Sequence, residues 1–329
     1  MMKHRHSCAV CLLIACLPAC TKSDKVPTIK EILSAEKARI HVFLQGKNYT
    51  AIPHEATYYG EPLRDTIYVL DNDATGKTAT NGQFVLVDYD EMAFNGMYIA
   101  STDPARFIGE GLKTPYPYGG PVCIETGPLP DGTLVPFARA IREISEGTTG
   151  EVILPSTLAG RGAGDYFYGR VRVHRVIPDI LAYEKTLVDA YLDTLRAGGA
   201  TDDDIFAESV GDSTSYVVVT HCHATAGDSI AAFAEVKIAY TIYLMNEAAL
   251  VTPPTCLKRK IKEVAEDAAT FQPVSAITPY LKQHGLTRLK KGDEATLVIP
   301  FAISRDAVPD LGLPPYSTLV YRLEIVDLK

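Results

Sequence analysis

The chain has 329 residues, 47% of them apolar and 22% charged, with a formal net charge of −8 and no Trp. That length suits about two domains, and the composition supports a sizeable buried core rather than disorder. The acidic balance argues against a nucleic-acid partner, which would draw on a basic face.

The first residues stand apart. Lys3 and Arg5 precede an apolar stretch from Ala9 to Leu17, the pattern of a secretory signal and too short for a bilayer span of about 20 residues. Leu17-Pro18-Ala19-Cys20 resembles a bacterial lipobox. Cleavage before Cys20 would leave that residue as a lipid-bearing N-terminus, and an ordinary cleaved signal with a chance Cys is the alternative. The expected division is a signal at 1–19, a lipidated tether at 20–27, and two similar domains at 28–176 and 177–329. Of the seven Cys, four fall in or at the end of the signal. Cys123, Cys222 and Cys256 remain, enough for one disulfide but not for a disulfide framework.

Thr28 to Gln45 predicts a helix, with Ile32, Leu33, Ile40, Phe43 and Leu44 on one side. Pro178 to Gly199 predicts a second, with Pro near its start and Gly-Gly at its end. Glu36-Lys37 precedes Phe43-Leu44 at the spacing at which Glu184-Lys185 precedes Tyr191-Leu192. The match extends beyond the helices. Asp65–Thr102 and Ser213–Thr252 each predict a strand, a polar turn, a long alternating strand ending in Tyr89 or Tyr240, and a further strand. Pro136–Gly160 and Ile277–Ser304 each predict a short helix, a Gly turn at Gly147 or Gly292, and a strand ending at Pro155 or Pro300. Asp165–Val176 and the C-terminal stretch from Leu313 close the two repeats with alternating strands. A repeat of roughly 150 residues is too long for a solenoid unit and means tandem domains. Each predicts an α+β unit, an antiparallel sheet curved around a short helix and preceded by an extra helix.

Other patterns carry less. Thr220-His-Cys-His-Ala-Thr225 puts His221 and His223 on one strand face, but two ligands do not close a zinc site. Ala74–Ala79 contains Gly-Lys-Thr without the earlier P-loop Gly and predicts a hairpin turn. Gly160–Gly164 follows a strand and leads into another strand, so it is not a dinucleotide loop. Cys256–Ala269 predicts a charged amphipathic helix, whose basic half at Lys258 to Lys262 could touch anionic lipid. No Gly-x-Ser-x-Gly or His-Glu-x-x-His is present, leaving a serine hydrolase or zincin unsupported.

The C-terminal stretch "LPPYSTLVYRLEIVDL" and the preceding "GDEATLVIP" resemble the closing strands of the FKBP-type peptidyl-prolyl cis-trans isomerases. "GQFVLVDYDEMAFNGMYIAST" and "PFARAIREISEGTTGEVILPSTLAG" resemble that family's central strand and its helix-turn-strand. The resemblance implies tandem FKBP-like domains with aromatic pockets, no cofactor and no metal. The implied partners are proline-containing polypeptides and, through Cys20, a membrane. The implied place is the envelope of a Gram-negative bacterium. In the first repeat the resemblance assigns pocket walls to Tyr89, Ile99 and Leu134 and the floor to Phe137. In the second it assigns walls to Tyr240, Leu250 and Tyr321. The family's Phe-Asp pair is replaced by Ile99-Ala100 and Leu250-Val251, and Gly160 and Arg305 stand at or near the position of a family Tyr. Gly169 replaces the pocket aromatic of the last strand, and Ile277 or Tyr280 would have to serve as the second floor. The two functions this leaves open are a folding isomerase for secreted proteins and a non-catalytic peptide- or protein-binding lipoprotein.

Overall fold

A computed structural model describes residues 26–70, 75–103, 106, 111–112, 121–127, 135–210, 213–222, 229–230, 235–245, 260–273, 289–301 and 316–329. Helix α1 (Ile29–Leu44) opens the described chain. The first sheet contains β1 (Tyr49–Tyr58), β2 (Glu61–Leu70), β3 (Phe84–Met92), β4 (Tyr98–Ser101), β5 (Val122–Glu125), β6 (Thr149–Leu154) and β7 (Phe167–Ile177). Helices α2 (Pro136–Ile141) and α3 (Ser156–Ala159) flank β6. Helix α4 (Ile180–Ala197) leads into the second sheet. Its strands are β8 (Ile205–Val210), β9 (Ser213–Cys222), β10 (Glu235–Met245), β11 (Lys260–Val264), β12 (Phe271–Pro273), β13 (Asp293–Ile299) and β14 (Thr318–Leu328).

The two sheets share one topology. The first runs β1-β2-β6-β7-β3-β4 with β5 also on β3; the second runs β8-β9-β13-β14-β10-β11 with β12 also on β10. Among the described residues every strand pairing is antiparallel. Register makes the equivalence residue-specific. Leu154 pairs with Phe167 and Val152 with Gly169, while Ile299 pairs with Leu319 and Leu297 with Tyr321. Gly169 and Tyr321 therefore hold the same ladder position. Tyr89 opposite Val171 likewise matches Tyr240 opposite Leu323.

Strand periodicity of two sends alternate residues to opposite faces, and both faces are covered. On the inner face of the first sheet, Val69, Val87, Val152, Leu154 and Val171 pack with Ala140 and Ile141 of α2 and Leu158 of α3. On the outer face, Leu70, Met92, Ile153 and Tyr168 pack with Ile40 and Leu44 of α1. The second sheet repeats this, with Val298, Val320 and Met245 under Leu187, Val188, Tyr191 and Leu192 of α4. Each fully buried aliphatic side chain contributes about 1.5–3 kcal/mol, so the leading helices are integral layers rather than appendages. The capping box Thr28/Glu31 starts α1, and the Asp179 carboxylate accepts the Leu181 and Ala182 amides at 3.0 Å to start α4.

Each leading helix is also tied to its sheet by a buried carboxylate. Glu36 is 1% exposed and accepts from Ser156 N at 2.6 Å, Ser156 Oγ at 2.5 Å and Gly164 N at 3.0 Å. Glu184 accepts from the Phe301 amide at 2.7 Å and from the Thr318 hydroxyl. Ser156 and Phe301 each follow the proline that ends β6 or β13, so the repeated Glu-Lys spacing marks a repeated clasp.

Three expectations are corrected. Residues 256–269 do not form a helix where described: Lys260–Val264 is β11, paired with β10. Ladder bonds override a charge pattern of helical spacing, and Lys on a sheet edge is a common guard against further pairing. The Gly-Lys-Thr segment is not a hairpin turn, because β6 and β7 lie between β2 and β3. Its Gly76 amide bonds Ser145 Oγ at 3.2 Å and Lys77 Nζ reaches the Val176 carbonyl at 3.1 Å, carrying the chain across the end of the sheet. Gly160–Gly164 follows α3 rather than a strand. Strands β1, β5, β8 and β12 have no counterpart among the expected elements. Among the described residues no helix is long and apolar enough to cross a membrane.

Candidate functional site

The inner face of the first sheet gathers three aromatic rings. Tyr89 comes from β3 and Phe137 from α2, which starts at Pro136, where a missing amide hydrogen costs nothing. Their ring centres are 5.5 Å apart, edge to face. Phe167, at the start of β7, completes the group at 5.3 Å from Phe137 and 6.2 Å from Tyr89. Such T-shaped contacts set ring edges against π faces. Phe167 is buried at 7% exposure, while Tyr89 and Phe137 are half-buried. The rings thus form a floor with two partly open walls.

Phe167 can take this position because Gly169 has no side chain. A Cβ on Gly169 would lie 2.4 Å from Phe167 Cζ. The residues share the inner face of β7, and the Phe167 ring lies over the space that a side chain at Gly169 would fill.

One side of the ring group is polar. Glu91, two residues beyond Tyr89, is 9% exposed and pairs in two-pronged fashion with Arg161, at 2.9 Å between Nη2 and Oε2. The Arg161 guanidinium also lies 5.6 Å from the Phe167 ring centre. Hydrogen bonding to Glu91 pushes the Arg161 pKa up against the opposing effect of burial. Arg161 follows Gly160, which ends α3 in the left-handed region at φ 66°. The position of α3 is fixed from below by Glu36 and by Asp65, which accepts from Thr157 Oγ1 at 2.8 Å. Strand β3 is held at Tyr89 by reciprocal 2.9 Å bonds with Thr102: the Tyr89 amide donates to Oγ1, and the Thr102 amide donates to the Tyr89 carbonyl.

The structure thus brings Tyr89 and Phe137 together. Ile99, on β4, is 40% exposed and lies outside that inner cluster. In the second sheet Tyr240 and Tyr321 face each other at 6.3 Å, with Tyr321 buried at 5% exposure. Leu134, Leu250 and Cys20 lie outside the described residues, as do Val251, Ile277, Tyr280 and Arg305. Sequence reasoning missed Phe167, Glu91 and Arg161. The signal for Phe167 and Glu91 was present as period two: Phe167 shares a face with Gly169, and Glu91 with Tyr89. Arg161 had no signal, since its partner is 70 residues away.

A separate cavity of about 50 Å³ lies between the sheets, lined by Leu86, Cys123, Glu184, Met245 and Tyr316 among others. It has room for water but not for a peptide. Cys123 beside it is a free thiol whose pKa is pushed up to about 12, by burial first and then by Glu125. Tyr316 bridges the sheets: its hydroxyl donates to Glu125 at 2.6 Å, and its ring lies 4.8 Å from Phe84. Among the described residues no group of three or more His, Cys, Asp or Glu is placed to hold a metal ion.

No family model matches the chain, and no curated protein matches it. The solved structures to which it is similar include FKBP-domain proteins. The three FKBP domains of wheat FKBP73 share 13% identity, with 80% of this chain and 94% of that chain covered and a TM-score of 0.29. FkpA from Escherichia coli shares 23% identity over 44% of this chain and 62% of that chain, at a TM-score of 0.30. A peptidyl-prolyl cis-trans isomerase from Pseudomonas syringae shares 16% identity over 46% of this chain and 93% of that chain, at 0.31.

Proposed function

We propose that the first sheet carries a peptidyl-prolyl cis-trans isomerase site for segments of secreted proteins. In this reading the chain is a lipoprotein of a Gram-negative envelope, anchored at Cys20 after loss of residues 1–19, with FKBP-like domains at 28–176 and 177–329. The observation that carries the reading is the half-open pair Tyr89 and Phe137, standing on Phe167 and bounded by Glu91–Arg161.

An X-Pro bond turns slowly because rotation breaks amide resonance, with a barrier of about 18–20 kcal/mol. Catalysis needs neither a nucleophile nor a base. A twisted amide has less charge separation than a planar one, so apolar ring walls bind it more strongly than the ground state. Phe137 and Tyr89 supply those walls, with Phe167 beneath them. The Arg161 guanidinium, oriented by Glu91, is the donor available to a peptide carbonyl at the polar side.

A second reading is a non-catalytic peptide- or protein-binding surface lipoprotein in which both FKBP-like domains are degenerate. Tyr316, in the stretch leading into β14, is engaged with Glu125 and Phe84 of the first sheet. That contact gives the stretch before β14 a structural role, which requires no catalysis.

The test is a protease-coupled proline-isomerisation assay on the chain beginning at Cys20, with Phe137→Ala and Tyr321→Ala variants. Phe137→Ala should lower kcat/KM by about tenfold or more, equivalent to losing roughly 1.4 kcal/mol of transition-state binding, while Tyr321→Ala retains activity. Background rates for the unsubstituted chain would overturn the enzyme reading and leave the binding-module reading.

A further inference from the structure

Strand β3 turns two aspartates to the face opposite the rings. Asp88 and Asp90 flank Tyr89, and strand alternation sends them to the outer side of the sheet. Each accepts from a hydroxyl at the end of β4: Ser101 Oγ donates to Asp90 Oδ1 at 2.6 Å, and Thr102 Oγ1 to Asp88 Oδ1 at 3.1 Å. Thr102 is 1% exposed, and its hydroxyl oxygen also accepts the Tyr89 amide at 2.9 Å. The Tyr89 carbonyl lies 3.2 Å from the same hydroxyl. A hydroxyl donates only once. The carboxylate is the stronger acceptor, and the carbonyl already takes the Thr102 amide, so the hydroxyl proton goes to Asp88.

A histidine holds the other oxygen of Asp88. His174 Nε2 lies 2.7 Å from Asp88 Oδ2. His174 does not stand opposite Asp88, whose ladder partner is Arg172. It is the extra residue of a bulge: Leu86 pairs with Arg175 and Val87 with Val173, with His174 left between them. A bulge re-aims a side chain. A chain of hydrogen bonds thus runs from His174 through Asp88 and Thr102 to the backbone of a ring wall.

The second sheet keeps the bulge without the chain. There Lys237 pairs with Asp327 and Ile238 with Ile325, so Val326 is the bulged residue, and Ala239 holds the position of Asp88. The same fold therefore forms without the pair. Strand β4 does not need it for attachment either, since Ser101 and Asp90 are ladder partners already bonded through their side chains.

We infer that His174, Asp88 and Thr102 are positioning residues for Tyr89, fixing the backbone from which that ring wall projects. This rests on the isomerase reading above. A wall that must fit a twisted amide needs a fixed root, because small displacements of a contact cost transition-state binding.

The test is the protease-coupled isomerisation assay on the chain beginning at Cys20, with hydrogen exchange of the Tyr89 amide followed by NMR. Both are run where circular dichroism shows every variant folded. Asp88→Ala and His174→Val install the residues that the second sheet uses. Asp88→Ala should lower kcat/KM by about fivefold, the scale of a slightly misplaced contact, and should speed exchange of the Tyr89 amide. His174→Val should lower kcat/KM by about twofold. His174→Gln, whose amide can donate to Asp88 Oδ2, should match the parent. In a Tyr89→Leu background Asp88→Ala should cost no further activity, because the ring it positions is gone. Full activity in Asp88→Ala, unchanged exchange at Tyr89, an equal loss in the Tyr89→Leu background, or a His174→Gln loss equal to that of His174→Val overturns the positioning assignment alone. Background rates for the unsubstituted chain overturn the isomerase reading and this inference with it.

Discussion

The two sheets fill one spot on their inner faces in opposite ways. In the second, Tyr321 occupies its own ladder position and Leu319 sits two residues before it, both buried. In the first, the equivalent positions are Gly169 and Phe167, and the ring of Phe167 covers the vacancy at Gly169. Each pair brings one ring to the spot, but the residue that carries it differs, and Leu319 with Tyr321 is the bulkier pair. The consequence for chemistry is direct. A ring rooted at Phe167 contacts both Phe137 and Tyr89 and approaches Arg161, whereas the ring of Tyr321 meets Tyr240. A Gly in a strand, often a sign of weakness, here marks close approach of a neighbour.

The strongest challenge to this comparison is to give the first sheet the second sheet's pair. Gly169→Tyr alone forces a Cβ into the Phe167 ring and should destabilise the chain by about 3 kcal/mol, the upper part of the usual range for overpacking. Adding Phe167→Leu recreates the Leu319/Tyr321 arrangement and should restore most of that loss in denaturant melts. A double variant no more stable than the single one would break the equivalence. If the isomerase proposal holds, restored stability without restored activity would sharpen it, separating the packing that the fold tolerates from the ring position that the site requires.

A smaller effect is expected one layer below. Glu36 gathers three donors around α3, and Glu36→Ala leaves them without that acceptor. A cost of about 2 kcal/mol is expected from orphaned buried donors, measured as a lower denaturant midpoint. Because α3 carries the loop to Arg161, the proposed isomerase activity should fall by more than the unfolded fraction explains under conditions where the variant remains folded. Wild-type activity in the folded variant would show that the clasp holds the fold without positioning the site.

The clasp was visible in the sequence as the repeated Glu-Lys at one spacing, although its hydrogen bonds were not. The helices Ile29–Leu44 and Ile180–Ala197 lie within the expected ranges because their apolar faces recur at helical spacing and their ends carry capping residues. The equivalence of Tyr89 with Tyr240 and of Gly169 with Tyr321 was also legible, since alternation fixes register once two strands align. Strand β1 was not legible: Pro53 interrupts it, and Pro in a strand signals an edge or no strand at all. Strand β11 was hidden because its pairing with β10 is tertiary information. The Glu91–Arg161 pair was hidden for the same reason, its order set by two strands and a short helix that meet only in the folded chain.

The smallest expected effect compares the second clasp with itself at different pH. Burial raises the pKa of Glu184 above its ordinary value of 4.5, against the opposing hydrogen bonds from Thr318 and the Phe301 amide. A carboxyl group whose pKa is raised on folding binds its proton more tightly in the folded state. Its contribution to stability is therefore full below the ordinary value and is lost as pH rises through the folded one. Glu184→Gln carries no such titration. The stability of the parent relative to this variant should be flat below about pH 4 and should fall as pH rises toward neutrality, in urea melts at fixed ionic strength. A relative stability that rises over that window would mean that the two donors outweigh burial, making Glu184 a carboxylate the fold prefers charged.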